Sequence, residues 1–323
     1  MIDQKILQSF GTYFLPNVRL SEFTHMKTGG VADVIFLPET KTELQTVITK
    51  LRIANLPFKI IGGTANILFL DDLNYKILVS TVRCKHISVE QNKIEADCGA
   101  LLGELVSLAA IHGLGGMEGM EGIPGTVGGA VYMNAGAYGY DVSQTLETVE
   151  VLKDDGTVQI LDGSELDYSF RHSKFMDQKL GVILKATFLL HPTNRNELWK
   201  RQELFHRKRH EYQEFVYPSL GSIFATLDIY SELGKHYPRF KRGIRWRNTF
   251  FYRRKNRPRN RIILNQYASR YFNWETLTQS YSDKTLNCLI NCGQGTAAML
   301  EYIERIQALT KGQVQLENEI FRG

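Results

Sequence analysis

Glycine-rich turns let backbone N–H groups approach phosphate oxygens, and this sequence contains two such turns of different design. In "GMEGMEGIPGTVGGAVYMNAGAYG", residues 116–139, glycine falls at every third position from Gly116 to Gly128. Eight of the chain's 27 glycines lie in this stretch, with no Lys or Arg among them. Glycine costs roughly 0.5–1 kcal/mol against alanine inside regular structure, so the cluster needs a cause. A collagen-like repeat is excluded, because the period breaks after five glycines. Two causes stay open: a tight crossing of loops in which backbones touch, or a cradle for a large anionic ligand such as a cofactor pyrophosphate. The second turn, in "IIGGTANILFLDD" at 60–72, directly follows a buried strand. It is neither a G-x-G-x-x-G fingerprint nor a Walker loop, since no G-K-[ST] follows. Two phosphate-competent loops about 50 residues apart suggest one long ligand spanning both.

Other residue pairs carry weaker signals. His206 and His210 in "HRKRH" sit four apart on an expected helix, a spacing that can ligate metal. Cations crowd them and no Cys or Asp lies close by, so no metal is expected. Cys288 and Cys292 in "NCLINCG" read as buried free thiols on one face of a strand.

The elements that position these residues follow from periodicity. "VADVIFLPETKTELQTVITKLRIANLPFKIIGG" reads as strand, helix, strand, with the first strand at 31–37 stopping at Pro38. Thr40 and Glu43 form a capping box, and Leu44, Val47, Ile48 and Leu51 repeat at helical spacing. A second helix is expected over about 101–112, with Gly113 as its C-cap. Short strands alternate from 147 to 190, and "DDG" at 154–156 is a hairpin turn. After a connection at 191–196, a charged helix is expected to about 212. "TAAMLEYIERIQALTKG" is the last helix, with Met299, Ile303 and Ile306 on one face and Gly312 as its stop. The mixture predicts an α+β fold with several small sheets.

A chain of 323 residues with 43% hydrophobic side chains suits two or three domains. Its first ten residues hold no apolar run of signal-peptide length, and no stretch approaches the ~20 apolar residues that span a bilayer. A cytoplasmic protein with no membrane partner is expected. Cys84, Cys98, Cys288 and Cys292 are too few and too scattered for a disulfide framework.

"GGTANILFLDD", followed by "GMEGIPGTVGGAVYMNAGAYG" and by "YSFRHSKF" at 168–175, resembles the UDP-N-acetylenolpyruvoylglucosamine reductases, the MurB family, also called UDP-N-acetylmuramate dehydrogenases. The likeness covers about residues 20–225, "NCLINCGQGTA" and the last ten residues. It implies an FAD-binding module of the vanillyl-alcohol oxidase and p-cresol methylhydroxylase type, plus a C-terminal α+β substrate domain. The implied units are FAD-binding subdomains at 1–75 and 76–207 and a substrate domain at 208–313. A final strand at 314–323 returns to the first subdomain. Non-covalent FAD is the implied cofactor, and NADPH the co-substrate. The implied reaction converts UDP-N-acetylenolpyruvoylglucosamine to UDP-N-acetylmuramate for peptidoglycan precursors. Carried over by motif, the FAD contacts are Gly62, Gly63, Thr64, Ala65, Asn66 and Ile67 in the first turn. In the second they are Gly122, Ile123, Pro124, Gly125, Thr126, Gly129, Ala130 and Asn134, joined by Arg171.

Hydride delivery to a vinyl carbon leaves negative charge beside a carboxylate, which asks for a cation and a proton donor. By resemblance, Arg171 in "YSFRHS" is the catalytic arginine, Ser222 in "YPSLGSIF" the proton-donating serine, and Glu319 in "LENEIFRG" the C-terminal glutamate. Glu317 would share a strand face with Glu319, and resemblance alone selects between them. Tyr168, Arg209, Arg253 and Arg254 are the expected substrate contacts. The chain departs from the family pattern at Thr64 and Ala65, where glycine and serine are usual, and Thr64 can supply the hydroxyl. It departs again at Ala225, Thr226 and Leu227, in place of lysine, asparagine and proline.

From Arg239 to Arg261 there are eleven Lys and Arg and no acid, which turns a net charge of +5 into −6 for the rest of the chain. Trp246, Phe250, Phe251 and Tyr252 interleave with them. The run reads as a solvated basic loop, as a clamp on the uridine diphosphate, or as a contact for nucleic acid or an anionic membrane. No nucleic-acid-binding motif accompanies it, so no nucleic-acid partner is expected. The divergence at 225–285 keeps two alternatives: a flavin reductase with another nucleotide-linked substrate, and a catalytically silent homologue. A monomer or weak oligomer is expected.

Overall fold

The structure is a computed structural model that describes residues 7–8, 10–251, 261–274 and 279–322. Strand β1 (Phe14–Arg19) pairs antiparallel with β2 (Val31–Phe36). Strands β3 (Lys59–Ile61), β4 (Ile67–Phe69) and β5 (Asn74–Ser80) follow, and β5 lies between β2 and β3, parallel to both. Helix α1 (Lys41–Ile53) starts where Thr40 Oγ1 accepts from the Glu43 amide, at 3.2 Å. The Glu43 carboxylate accepts in return from the Glu39 amide, one residue earlier than the expected box. Leu44, Val47, Ile48 and Leu51 are all fully buried, as their spacing requires. The boundary expected at residue 75 cuts through β5, whose pairing keeps the first unit intact to Ser80.

The second sheet is five-stranded and antiparallel. It contains β6 (Ile87–Glu90), β7 (Lys93–Asp97), β8 (Leu146–Leu152), β9 (Val158–Asp162) and β10 (Val182–Leu189), in the order β9-β8-β10-β7-β6. Gly156, at φ +87°, makes the turn between β8 and β9. Helices α2 (Leu102–Ile111) and α3 (Val127–Tyr132) pack against this sheet. One apolar cluster runs from Val34 and Phe36 through α1 and α2 to Val149, Leu184 and Phe188. The two expected FAD-binding subdomains therefore share a core. His191 and Pro192, expected as plain connection, pair with Leu114 and Gly115. Helix α4 (Arg195–Tyr212) then lies along α2 and the turn at 118–120.

The third unit's core, around Phe240, Trp274, Leu286, Met299 and Tyr302, also takes in Met26, Leu68 and Leu70 of the first unit. It holds helices α5 (Ile229–His236), α6 (Pro238–Phe251) and α7 (Arg261–Tyr271), strands β11 (Tyr281–Ser282) and β12 (Thr285–Leu289), and helix α8 (Thr296–Leu309). The first half of the basic run is thus a helix and not a loop. Pro238 occupies its first turn, where the missing N–H has no intrahelical partner to lose. Phe240 is fully buried and stacks on Tyr267, and the Arg247 guanidinium lies 3.6 Å from that ring. Arg239, Lys241, Arg242 and Arg245 face solvent. Tyr252, Arg253, Arg254 and Lys255 lie outside the described residues. Cys288 is buried in β12, but the strand ends at Leu289 and Cys292 is exposed, so the two thiols share no strand face.

The C-terminus returns to the first unit. Strand β13 (Glu319–Phe321) runs parallel to β4, with Glu319 opposite Ile67. The Phe321 ring packs on Phe69 and Tyr75, and the Tyr75 hydroxyl donates to the Phe321 carbonyl at 2.9 Å. Asp71 accepts from the Gly29 and Thr296 amides, both at 2.8 Å, and so caps α8 from a distant loop.

Candidate active site

The two glycine turns meet. A Cβ on Gly62 would overlap Thr126 Oγ1, and one on Gly63 would sit 3.1 Å from Gly125 Cα. Gly128 lies against Cys98, where a Cβ would come within 2.9 Å of its neighbour's. These positions realise the tight crossing of loops. Gly129 does not: its Cβ would find nothing nearer than Thr126 Oγ1 at 3.7 Å, and its surface is exposed. Gly125, at φ +119°, likewise faces only Ala65, at 3.7 Å. Thr126 is buried and its hydroxyl has no partner among the described residues. A buried hydroxyl without a partner costs stability unless something else satisfies it. Open space at Gly125 and Gly129, next to the orphan Thr126 hydroxyl, fits a long polar group such as FAD.

Gly129 offers a direct test. Alanine, and leucine nearly as much, is favoured over glycine in a helix by about 1 kcal/mol, and no described residue opposes a Cβ there. Gly129→Leu should melt at or above the parental temperature as apoprotein, yet bind FAD at least tenfold more weakly by fluorescence titration. Parental flavin affinity would remove Gly129 from the flavin site.

Other expected contacts are engaged by the chain. Thr64, at φ +54°, uses its hydroxyl oxygen to accept the His25 amide at 2.8 Å. Asn134 is buried, donating to the Ser169 carbonyl and accepting from the Ser143 amide. Ile67 belongs to β4, and Ala130 is buried in α3. Ala65, Asn66, Gly122, Ile123 and Pro124 line a cleft of about 590 Å3.

That cleft also gathers residues far apart in sequence: Arg171, Arg209, Glu317 and Ser222. Arg171 holds a left-handed backbone, φ +57°, which is uncommon for a non-glycine residue and often marks a functional site. Its Nε donates to Glu317 Oε1 and its Nη2 to the Gly136 carbonyl, both at 2.6 Å. Nη1 has no hydrogen bond among the described residues, which leaves one edge of the fork for a ligand. Burial pushes the Glu317 carboxyl above its ordinary range, with Arg171 opposing. Ser222 is exposed on the cleft wall, where a smaller pocket of about 220 Å3 opens between Thr226, Tyr230, Thr285 and Asn287.

Glu319 is not among the residues lining this cleft. The phenol of Tyr132, at the end of α3, is raised by burial and then by the Glu319 charge. Glu319 reaches solvent, yet surrounding protein raises its carboxyl, with Lys59 opposing. The ionised form is therefore disfavoured in the folded state, and stability falls as pH rises above the ordinary 4.5. Glu319→Gln should unfold like the parent near pH 4 and at higher temperature than the parent at pH 8. Melting curves across that range check it, and a parental advantage at pH 8 would contradict the raised carboxyl.

Tyr168 donates to the Val131 carbonyl at 3.0 Å, and burial pushes its phenol well above the usual range. Arg209 is 3% exposed on α4, with Nε on the Glu121 carbonyl at 2.9 Å and a further bond to Gln213. Its guanidinium lies over Tyr138, so it builds the cleft wall as well as facing it. His206 is taken by Glu121 at 3.1 Å, and no group of three metal-ligating side chains occurs among the described residues. His25 and Lys27 join the cleft without any signal of type or spacing in the sequence. Burial and the neighbouring Lys27 charge lower the His25 pKa, favouring its neutral form.

An FAD binding domain family matches residues 32–162. The UDP-N-acetylenolpyruvoylglucosamine reductase of Caldicellulosiruptor saccharolyticus is 36% identical over 220 residues, 68% of this chain and 71% of that protein. The enzyme of the same name from Pediococcus pentosaceus is 36% identical over 225 residues, covering 69% and 75%. The crystal structure of UDP-N-acetylenolpyruvylglucosamine reductase from Thermus caldophilus superposes with a TM-score of 0.64 at 25% identity, covering 96% of this chain and 98% of that one. No helix among the described residues is long and apolar enough to cross a membrane. With the open space at the glycines and the orphan hydroxyl beside it, these likenesses make the chain an FAD-dependent oxidoreductase that belongs to the UDP-N-acetylenolpyruvoylglucosamine reductase family.

Proposed function

We propose that this protein reduces UDP-N-acetylenolpyruvoylglucosamine to UDP-N-acetylmuramate with NADPH, in a cytoplasmic setting and as a monomer or weak oligomer. The observation that carries the reading is that Arg171, Glu317 and Ser222 line one cleft together with the glycine turns. FAD held at the glycine turns would supply the hydride-transfer chemistry between NADPH and the enolpyruvyl double bond. The chain's residues do the rest. Arg171, aligned by Glu317 and the Gly136 carbonyl, offers its free edge to the substrate carboxylate and stabilises charge that develops there. The Ser222 hydroxyl donates the proton to the adjacent carbon. Glu319, beside the glycine helix with a raised carboxyl, is the further acidic residue. Tyr168 and Arg209 shape the pocket wall.

Stopped-flow mixing tests this directly. NADPH should bleach the flavin, and the UDP-enolpyruvyl sugar should restore its colour far faster than oxygen does. Reduced protein that oxygen reoxidises but the sugar does not would transfer the reading to another nucleotide-linked substrate. A protein that neither NADPH nor NADH reduces would be a silent homologue. Arg253 and Arg254 are assigned to the diphosphate on charge alone. Alanine at both should raise the KM for the sugar tenfold or more while flavin reduction by NADPH stays near parental. An unchanged KM returns these residues to solvent.

A further inference from the structure

Asn318 stands between the two C-terminal glutamates and is 4% exposed. Its amide nitrogen faces three acceptors: Asn66 Oδ1 at 2.8 Å, the Ser222 carbonyl at 3.0 Å and the Leu220 carbonyl at 3.3 Å. Two of these are backbone oxygens that can only accept, so the side chain must present its nitrogen to them. The surrounding backbone repeats the connection. Asn66 donates to the Glu317 carbonyl, the Glu319 amide donates to the Asn66 carbonyl, and the Glu317 amide donates to the Ile223 carbonyl. Gly221, at φ +69°, lies between the two carbonyls that Asn318 holds. Glycine alone leaves that turn many conformations, and the bonds on either side of it select one. The buried Asn318 amide is thus the one side chain among the described residues that bonds to the first glycine turn and the serine loop from the C-terminal segment, beside backbone bonds that run the same way.

We propose that Asn318 is a positioning residue that holds the Ser222 loop against the flavin turn, so that the Ser222 hydroxyl meets the cleft in register. The inference rests on Ser222 being the proton donor. Asn318 touches neither reacting group, and the flavin turn it reaches at Asn66 is also held by the Glu319 amide and the Glu317 carbonyl, so its loss falls chiefly on the half-reaction that uses Ser222.

The test compares Asn318→Ala with Asn318→Asp in the FAD-loaded enzyme. Aspartate keeps the shape and removes both donors, and it stands in should the alanine variant fail to fold. Flavin reduction by NADPH should stay within about twofold of parental. Reoxidation by the UDP-enolpyruvyl sugar should slow about 10- to 100-fold, the cost typical of a misplacement near 1 Å. Hydrogen exchange should quicken in peptides covering 219–226 and in the two segments tied to them, about 64–69 and 316–321, with the rest of the protein unchanged. Parental reoxidation in either folded variant overturns the proposal. So does equal slowing of both half-reactions with a lowered melting temperature, which is what a merely structural residue would produce. If the parent itself does not reduce the sugar, the Ser222 assignment fails separately. Exchange at 219–226 then decides the clasp alone: faster supports it, unchanged overturns it.

Discussion

Ser222→Ala should leave NADPH able to bleach the flavin at close to the parental rate, while reoxidation by the UDP-enolpyruvyl sugar slows by about 10²–10⁴-fold. The asymmetry follows from where the hydroxyl stands. Ser222 is exposed on the cleft wall, and its side chain has no hydrogen bond among the described residues, so its removal breaks no packing. In the proposed role, what is lost is the proton for the carbon that becomes negative after hydride delivery. Cysteine at 222 should recover part of the rate, since a thiol, near pKa 8.5, is a stronger acid than an alkyl hydroxyl. Single-turnover absorbance at the flavin band reads both half-reactions separately. Equal slowing of the two, or no slowing of either, would take Ser222 out of the chemistry.

Arg171→Lys should keep flavin bound but lower turnover about 10²–10³-fold. The guanidinium serves Glu317 with Nε and Gly136 with Nη2 while keeping an edge free, three directions fixed in one plane. An ammonium on a flexible stem cannot hold two internal partners and also meet a carboxylate with parallel bonds. Lysine must also adopt the left-handed backbone at 171, which the arginine's two short bonds help to hold. Steady-state rates and a flavin titration check the two halves of the expectation. A rate within threefold of parental would remove Arg171 from the site.

Much of the protein is legible where the controlling interactions are local. Helix α1 needs only Thr40, Glu43 and four apolar residues one turn apart, and it forms where they predict. The hairpin at Gly156 and the stops at Gly113 and Gly312 answer to backbone freedom within a few residues. Both glycine turns were legible for the same reason. Even α6 carried its signal in Phe240 and Ile244, which the surrounding charges obscured.

Contacts between distant segments were not legible. Arg171 and Glu317 are 146 residues apart, and Asp71 reaches the start of α8 across 225. No spacing rule connects such pairs. They meet because β13 runs beside β4 and because the third unit buries its apolar core next to the first. For the same reason periodicity put Glu317 and Glu319 on one strand face and left open which is the acidic catalytic residue, whereas β13 begins only at Glu319 and Glu317 precedes it. The pairing of Glu319 with Ile67 sets the register, and it brings Glu317 to the guanidinium and the Glu319 charge to bear on Tyr132. Residue types and local spacing determine the turns, the caps and the chemistry on offer. Burial of surfaces far apart along the chain decides which of those groups face one another, because only the packed whole fixes distances between them.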